Sequence, residues 1–555
     1  MITRRKFLTT AATASAAAAA GVRADALPQP APPVASSKAP TGSPNVLIFL
    51  PDQQNGATVL PGSPVVKPNM DRFRKEAITF NSAHCPAPHC CPSRASFMSG
   101  RYPSETGIYN NVSTNTAIHP DPYPGTPFWG NALKDAGYQT GYAGKLHVGR
   151  HVKAETCGFK ALSTLEQDNL EENEVAQAAQ WKRARGENYS PAMRPPGQIL
   201  RPDWGNFQFY NTTPDDTFQH NPDYKVVQAG IAGMKEMAAT GQPWCVMISN
   251  SGAHDAYWAP KKFVDLYDPT KIELPASFED TMDDKPRIYQ RQRYEYWSQL
   301  SDEESKLALI HYYAKCSMQD ELFGQMLKAL DETGQADNTI VIYVSDHGDY
   351  HAAHGLWMKG VPSFREAYHI PCVIRWPKGA VSPGREVDAF VDQVDFAPTI
   401  LEVCGVTSPA KLSGASLMPW LKGQTPATWR HATCTQMNGV ELYYTQRIVM
   451  TKEYKYVYNG FDYDELYDLK NDPYEMHNLA FPDLPAKRAA VKAGKGLPKD
   501  GHVPWPPLSP ALEQVRKDLL TEMWNFAADH HDIIFNPYRT VALAPFGPGL
   551  GEVEP

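Results

Sequence analysis

The sequence predicts an α/β fold followed by a smaller α+β domain. Apolar runs of strand length recur through the first part of the chain, as in "NVLIFL" (Asn45–Leu50) and "NTIVIYV" (Asn338–Val344). Strands buried on both faces of a parallel sheet read as such near-continuous runs. Helical segments lie between them, the alternation expected of an α/β domain. From about Gln424 the pattern changes. "RIVMTKEYKYVYN" alternates in the manner of antiparallel strands.

Taken in order, "NVLIFL" ends at Pro51-Asp52, and "NMDRFRKEA" follows as a short helix. "PFWGNALKDAGYQTGYAGKLHVG" reads as a helix ended near Gly137, then a strand over Gln139–Ala143, then a loop carrying Lys145 and His147. "PWCVMISNSGAHD" is another strand, with His254 just past its end. "ALIHYYAKCSMQDELFGQMLKALDETG" is a long amphipathic helix stopped by Gly334. "NTIVIYVSDHGD" is a third buried strand, with Asp346-His347 at its C-terminal end, and "IPCVIRWP" is a fourth. In open α/β sheets the ligand site lies beyond the carboxyl ends of the strands. Asp52, His254, Asp346 and His347 are therefore expected to converge. Later in the chain, "ELYDLKNDPYEMHNLA" reads as strand, turn and short helix. "SPALEQVRKDLLTEMWNFAADHHD" reads as a helix with Ser509 as N-cap and Pro510 at its first position. Residues 160–222 are polar, Pro-rich and charged in blocks, the marks of an insertion over the active face.

At 555 residues the chain exceeds what one hydrophobic core serves, and two domains are expected, over 44–423 and 424–555. With 42% hydrophobic and 21% charged residues the composition is globular. After the N-terminus no apolar run is long enough for stable membrane insertion. A net charge of −8 gives no reason to expect nucleic acid as a partner, although an anionic substrate needs only a local cationic pocket. Residues 1–24, "MITRRKFLTTAATASAAAAAGVRA", carry Arg4-Arg5, a weakly apolar Ala/Thr run and a small-residue cleavage site. They read as a twin-arginine export signal. The expected partner is the twin-arginine export machinery, and the expected location is periplasmic or secreted. Residues 25–43 read as a disordered linker. The nine cysteines include no CxxC pair and define no disulfide.

Two short pairs carry metal-binding chemistry. Asp52-Gln53 and Asp346-His347 offer mostly oxygen donors, which suit hard divalent cations such as Ca²⁺ or Mg²⁺. His347 and His351 have the i, i+4 spacing of a helical zinc pair. Gly348 and the strand end argue against a helix there, and the glutamate of H-E-x-x-H is missing. Arg94, Lys145, His147, His254 and Lys359 supply positive charge and acid/base groups. Cys90-Cys91 stands in "HCCPSRASFMSGR" (His89–Arg101). Neighbouring cysteines rarely bond to each other, so these residues alone read as a turn with two buried thiols.

Together these fragments resemble the type I sulfatase family. "CCPSRASFMSGR" resembles its signature C-x-P-S-R with an apolar pair and a small-Gly-Arg ending. "GYQTGYAGKLH" (Gly137–His147) resembles its second signature. "NVLIFLPDQQ", "VSDHGDYHAAHGLWMKG", "LSGASL" and "ELYDLKNDPYEMHNLA" resemble its remaining landmarks, in the family's order, over about Pro44–Ala480. The resemblance implies an alkaline phosphatase-like arrangement: a large, mixed, mostly parallel sheet sandwiched by helices. It implies hydrolysis of sulfate esters. Cys90 would be oxidised to Cα-formylglycine by a formylglycine-generating enzyme that reads Pro92, Ser93 and Arg94 in an unfolded chain, and Cys91 would be the variable position. The aldehyde hydrates to a gem-diol, one hydroxyl of which attacks sulfur; collapse of the hemiacetal then frees sulfate.

By the same resemblance Asp52, Gln53, Asp346 and His347, with Cys90 as formylglycine, would bind one Ca²⁺. Arg94 and Lys145 would hold the hydrate and the sulfate charge, and His147 would help deprotonate the hydrate. His254 and Lys359 would face the leaving oxygen, with His254 as general acid. The family often has Asp where Gln53 stands, and more often Pro-His-x-Pro where this chain has "GAHDAYWAP". Trp204, Phe207, Phe209, Tyr210, Tyr257, Trp258 and Trp357 are placed to stack on sugar rings or to fill the core. Exported bacterial relatives commonly desulfate carbohydrates, so a sulfated carbohydrate is the expected substrate. The alternatives are a phosphate or phosphonate ester hydrolase on the same scaffold, and a silent sulfated-glycan-binding protein.

Overall fold

The structure is a computed structural model. It describes residues 38–534 except 41, 113–115, 164–193, 202–204, 382, 440–441 and, within 483–507, all but 485, 486, 489 and 493. The expected export signal, most of the linker and the middle of the 160–222 insertion lie outside the described residues. Among the described residues no helix is long and apolar enough to cross a membrane.

The strands run β1 (Asn45–Asp52), β2 (Ile78–His84), β3 (Gln139–Gly144), β4 (Lys160–Ala161), β5 (Gln198–Arg201), β6 (Gly205–Gln208), β7 (Tyr210–Thr213), β8 (Trp244–Ala253), β9 (Tyr257–Pro260), β10 (Thr339–Val344), β11 (Cys372–Arg375), β12 (Glu386–Asp392), β13 (Thr433–Met437), β14 (Gln446–Met450), β15 (Tyr454–Asn459) and β16 (Glu465–Asp468). Eight of them form one sheet in the order β12-β2-β11-β10-β1-β8-β3-β4. β1 sits between β10 and β8, parallel to both, and all eight of its residues are buried. β3 continues the parallel set beside β8. β11 pairs antiparallel with β10 and β2, so the sheet is mixed and mostly parallel, as expected. Among the described residues the only helices between β10 and β11 are the short turns Ala353–Gly355 and Arg365–Tyr368. The chain therefore returns antiparallel without the crossover that a parallel neighbour needs.

The helix Asp302–Glu332 packs against the helix Pro222–Ala238 and against β8. Its start is fixed by a capping box, in which Ser301 accepts from Glu304 N and Glu304 reaches back to Ser301 N. The helices Cys90–Ser99, Trp129–Asp135 and Phe396–Val403 pack together, with Phe97 against Trp129 and Phe396.

β13–β16 form a separate antiparallel sheet. Val449, Tyr456, Tyr458 and Leu466 pack with Leu520, Met523 and Trp524 of the helix Pro510–Asp529 in a second hydrophobic cluster. Ser509 caps that helix by accepting from Leu512 N, as its sequence predicts. The short helix expected after β16 is not formed. Asp468 Oδ1 takes the N–H groups of Lys470 and Asn471, and Asp472 takes those of Met476 and His477. Such local side-chain acceptors compete with helix formation.

The described part of the 160–222 segment folds back on the long helix. Arg194 Nη1 donates to Glu304 Oε1 at 2.7 Å, and β7 pairs in parallel with β9 just beyond His254. Phe209, Tyr257 and Trp357 pack on one another and are fully buried, so they are core residues and not a stacking surface. Trp258 is exposed, and Trp204 lies outside the described residues.

Candidate active site

The signature segment is a helix, not a loop. Cys90 is the first residue of Cys90–Ser99, after an extended His89, and every residue of the helix is buried. Gly100 ends it at φ 69°. That left-handed conformation favours glycine. A Cβ there would also stand 2.7 Å from Ala397 Cβ. Ser93 Oγ donates to Asp346 O and Gln393 Oε1, and Gln393 Nε2 donates to the carbonyls of Ser345 and Asp346 at 2.8 and 2.7 Å. The helix start is thereby fastened to the end of β10. The two adjacent thiols share His147 but otherwise differ in their neighbours: Cys91 Sγ accepts from Val112 N at 3.4 Å, whereas Cys90 Sγ lies 3.3 Å from His347 Nε2.

Asp52, Cys90, Asp346 and His347 are brought together with their donor atoms all within 4.8 Å of one another, every one of them buried. Asp52 ends β1; Asp346 and His347 follow β10, the neighbouring parallel strand. Asp346 Oδ1 accepts from the N–H groups of Gln53 and His347, which fixes the turn beyond both strands. His347 Nδ1 lies 2.9 Å from Gly348 O, leaving Nε2 to face the cluster. Gln53, at φ 59°, presents its amide to a different set. Its Nε2 donates to Asp349 Oδ2 at 2.6 Å and Asp255 Oδ1 at 3.2 Å, and its Oε1 accepts from Lys359 Nζ at 2.5 Å.

Cations surround this cluster. Arg94 spans the two carboxylates, with Nε 2.7 Å from Asp346 Oδ2 and Nη2 3.0 Å from Asp52 Oδ2. Lys145 Nζ lies 2.6 Å from Asp52 Oδ2 and 3.5 Å from Cys90 Sγ. Gly144, at φ 94°, lets the chain leave β3 in the direction that puts Lys145 there. A Cβ at Gly144 would stand 2.0 Å from Ser249 O. Burial and the neighbouring Cys90 favour a neutral Asp52. Lys145, His254 and Arg94 outweigh them and hold it well below the usual carboxylate range. Burial likewise pushes the Cys90 thiol up, but Lys145, Lys359, His347 and a hydrogen bond with His147 bring it well below its ordinary value. Burial depresses His147, while Cys91 and Cys90 beside it raise it to about 10.

At the far side His254 Nε2 lies 2.7 Å from Lys359 Nζ. Three residues absent from the sequence reading, Asp255, Asp349 and Lys315, support this end, and a fourth, Gln393, supports the start of the signature helix. Asp255 and Asp349 bracket the Gln53 amide. Lys315, on the long helix, donates to the carbonyls of His254 and Ala256. Gln393 holds the signature helix. Asp255 and Asp349 stand beside singled-out residues in "AHDA" and "DHGD", a signal that was available. Lys315 and Gln393 lie far from any motif and carry none.

Two carboxylates, an imidazole and a thiol thus meet at the carboxyl ends of a mostly parallel sheet, ringed by cations, an arrangement suited to an anionic ester. The sulfatase family model matches residues 44–406, and the model described as "N-sulphoglucosamine sulphohydrolase, C-terminal" matches residues 353–490. The chain belongs to the sulfatase family, of alkaline phosphatase-like fold, and is a sulfuric ester hydrolase. It is 28% identical to choline-sulfatase of Rhizobium meliloti over 482 residues, 82% of this chain and 86% of that one. It is 28% identical to N-acetylglucosamine-6-O-sulfatase of Bacteroides thetaiotaomicron over 512 residues, 80% of this chain and 83% of that one. Among solved structures, the phosphonate monoester hydrolase of Silicibacter pomeroyi superposes with a TM-score of 0.63 at 22% identity, over 81% of this chain and 94% of that one.

Proposed function

We propose that this protein hydrolyses sulfate esters of carbohydrates with a formylglycine made from Cys90 and one bound Ca²⁺. The observation that carries the reading is the position of Cys90. Its Sγ lies at the first turn of a buried helix, within 3.5 Å of both His347 Nε2 and Lys145 Nζ, inside the Asp52/Asp346/His347 group. The donors fit a hard cation, since oxygen predominates among them. A sulfur among carboxylates is the exception, and its oxidation to an oxygen-bearing group removes it. When present, the cation and the oxidised residue supply an oxygen nucleophile and a centre of positive charge.

The chain's own residues divide the remaining work. Asp52, Asp346 and His347 would hold the cation, while the Gln53 amide, turned to Lys359, Asp255 and Asp349, stays outside the ligand set. Arg94 and Lys145 fix the carboxylates and offset the charge of the sulfate as it shifts in the transition state. His147, next to Cys90, is placed to take a proton from the nucleophile once oxidation of Cys90 removes one of the two sulfurs that keep the imidazole charged. His254 and Lys359 deliver one to the departing oxygen. Residues 44–423 form the catalytic domain and 424–555 the smaller domain. The N-terminal segment directs twin-arginine export to the periplasm or beyond. A carbohydrate substrate is supported by the relative named for N-acetylglucosamine 6-O-sulfate, whereas the relative named for choline sulfate marks a small alkyl sulfate as the second reading.

The test is mass analysis of the tryptic peptide Glu76–Arg94 from protein produced with a formylglycine-generating enzyme, followed by sulfate release from a panel of sulfated sugars and choline sulfate. An aldehyde or its hydrate at Cys90 together with sugar desulfation is expected. A persisting thiol under those conditions would overturn the mechanism. Release from choline sulfate alone would overturn the substrate class.

A further inference from the structure

Asp255 is the residue after His254, and its largely covered carboxylate, 9% exposed, lies beside the imidazole. His254 Nδ1 lies 2.6 Å from Asp255 O and 3.2 Å from Asp255 Oδ1. Both are acceptors, so Nδ1 carries the proton. The opposite nitrogen, Nε2, then faces Lys359 Nζ at 2.7 Å. Lys359 also donates to Gln53 Oε1, and Gln53 Nε2 donates to the same Asp255 Oδ1. His254, Lys359, Gln53 and Asp255 thus close a ring of hydrogen bonds, each of the four held by two others. Lys315 Nζ fastens the backbone of this turn by donating to the carbonyls of His254 and Ala256.

We propose that Asp255 is the positioning residue for proton delivery to the leaving oxygen. It keeps the proton on Nδ1 and the ring plane fixed, so that Nε2 and Lys359 Nζ share a further proton at the side where the ester oxygen departs. A carboxylate at Nδ1 also stabilises the positive charge that the imidazole takes up when that proton reaches it. As the nucleophile's oxygen bonds to sulfur, the S–O bond to the leaving group breaks and its electron pair stays on the leaving oxygen. That oxygen takes the proton of the Lys359–His254 pair, and solvent restores it after the product leaves. This inference rests on the sulfatase reading above.

A structural support and a proton-positioning residue differ in which substrates suffer. A phenolate with a good leaving tendency departs without a proton, and a sugar or alkyl oxygen does not. The experiment measures kcat and KM of the formylglycine-bearing enzyme for 4-nitrophenyl sulfate and for a sugar or alkyl sulfate that it turns over. Asp255→Asn is expected to lower kcat about 10- to 100-fold for the alkyl or sugar ester with KM unchanged, and less than about threefold for the aryl ester. Asp255→Glu, which restores the charge, is expected to regain part of the loss. Equal loss on both esters, whether from misfolding or from general damage, would overturn the proposal. So would full activity of Asp255→Asn on the poor leaving group. An unsubstituted enzyme that turns over neither ester would instead overturn the sulfatase reading.

Discussion

Arg94 Nε stands 2.7 Å from Asp346 Oδ2 in a region closed to water, and the same guanidinium reaches Asp52. One cation therefore offsets two buried carboxylates that are also placed to hold a metal. Removing one member of a buried pair costs about 3–5 kcal/mol, because the partner charge is left uncompensated. Arg94→Ala is expected to lose about that much stability in the presence of a chelator. With excess Ca²⁺ the loss should shrink, since a bound cation takes over the compensation. Thermal melts under both conditions check this, and equal losses would deny the carboxylates a shared role.

Asp346→Asn keeps an oxygen for the N–H groups of Gln53 and His347 but removes a charge from the cluster. The fold should survive, while metal per chain falls and the rise in Tm on adding Ca²⁺ shrinks. A ligand at 100 times its Kd stabilises by about 2.7 kcal/mol, which sets the scale of the lost effect. Elemental analysis after dialysis against Ca²⁺ reads the stoichiometry; an unchanged value would remove Asp346 from the ligand set.

Gly100→Ala tests the helix stop. The variant must hold a side chain at φ 69° with its Cβ 2.7 Å from Ala397 Cβ. Backbone strain of this kind costs about 1–3 kcal/mol, and the close approach adds to it. A clear fall in Tm is expected; a Tm within a degree of the parent would show that the helix end is free to move.

Asp392 caps the turn after β12, accepting from Val394 N. Burial, with Asp395 nearby, pushes its carboxyl up to about 7 against the pull of Arg430. A raised carboxyl binds its proton more tightly folded than unfolded. Its contribution is fully present below about pH 4 and is lost as pH rises through about 7. Asp392→Asn should therefore become relatively more stable than the parent as pH rises across that window. Denaturant melts at pH 4, 5.5 and 7 measure the difference, and a constant gap would contradict it.

The ends of β1 and β10 were legible because each is a run of apolar residues that stops abruptly at a polar one, and β8 was legible from its apolar first half, although it runs on through Ser249–Gly252 to Ala253. Three of the strands that carry the chemistry could thus be placed, with their site residues, from the sequence. The Cys90–Ser99 helix was not. Every one of its residues is buried, so no apolar stripe marks a helical period, and Pro92 reads as a turn until one sees that it lies in the first turn. β2 and β12, "ITFNSAH" and "EVDAFVD", mix polar with apolar residues and were missed for the opposite reason. Lys315 and Gln393 were invisible because their partners are backbone carbonyls from distant segments. Such contacts leave no spacing to read.

Cys90 is 1% exposed, at the foot of a helix tied to the centre of the sheet. On the reading proposed here an oxidising enzyme must reach that thiol before the chain closes over it. Each molecule then faces a race between collapse and chemistry, and one that folds first is shut out for as long as it stays folded. The specific activity of a preparation becomes a record of that race. It should fall when synthesis outpaces the supply of modifying enzyme, and unfolding followed by renewed exposure to that enzyme should bring it back.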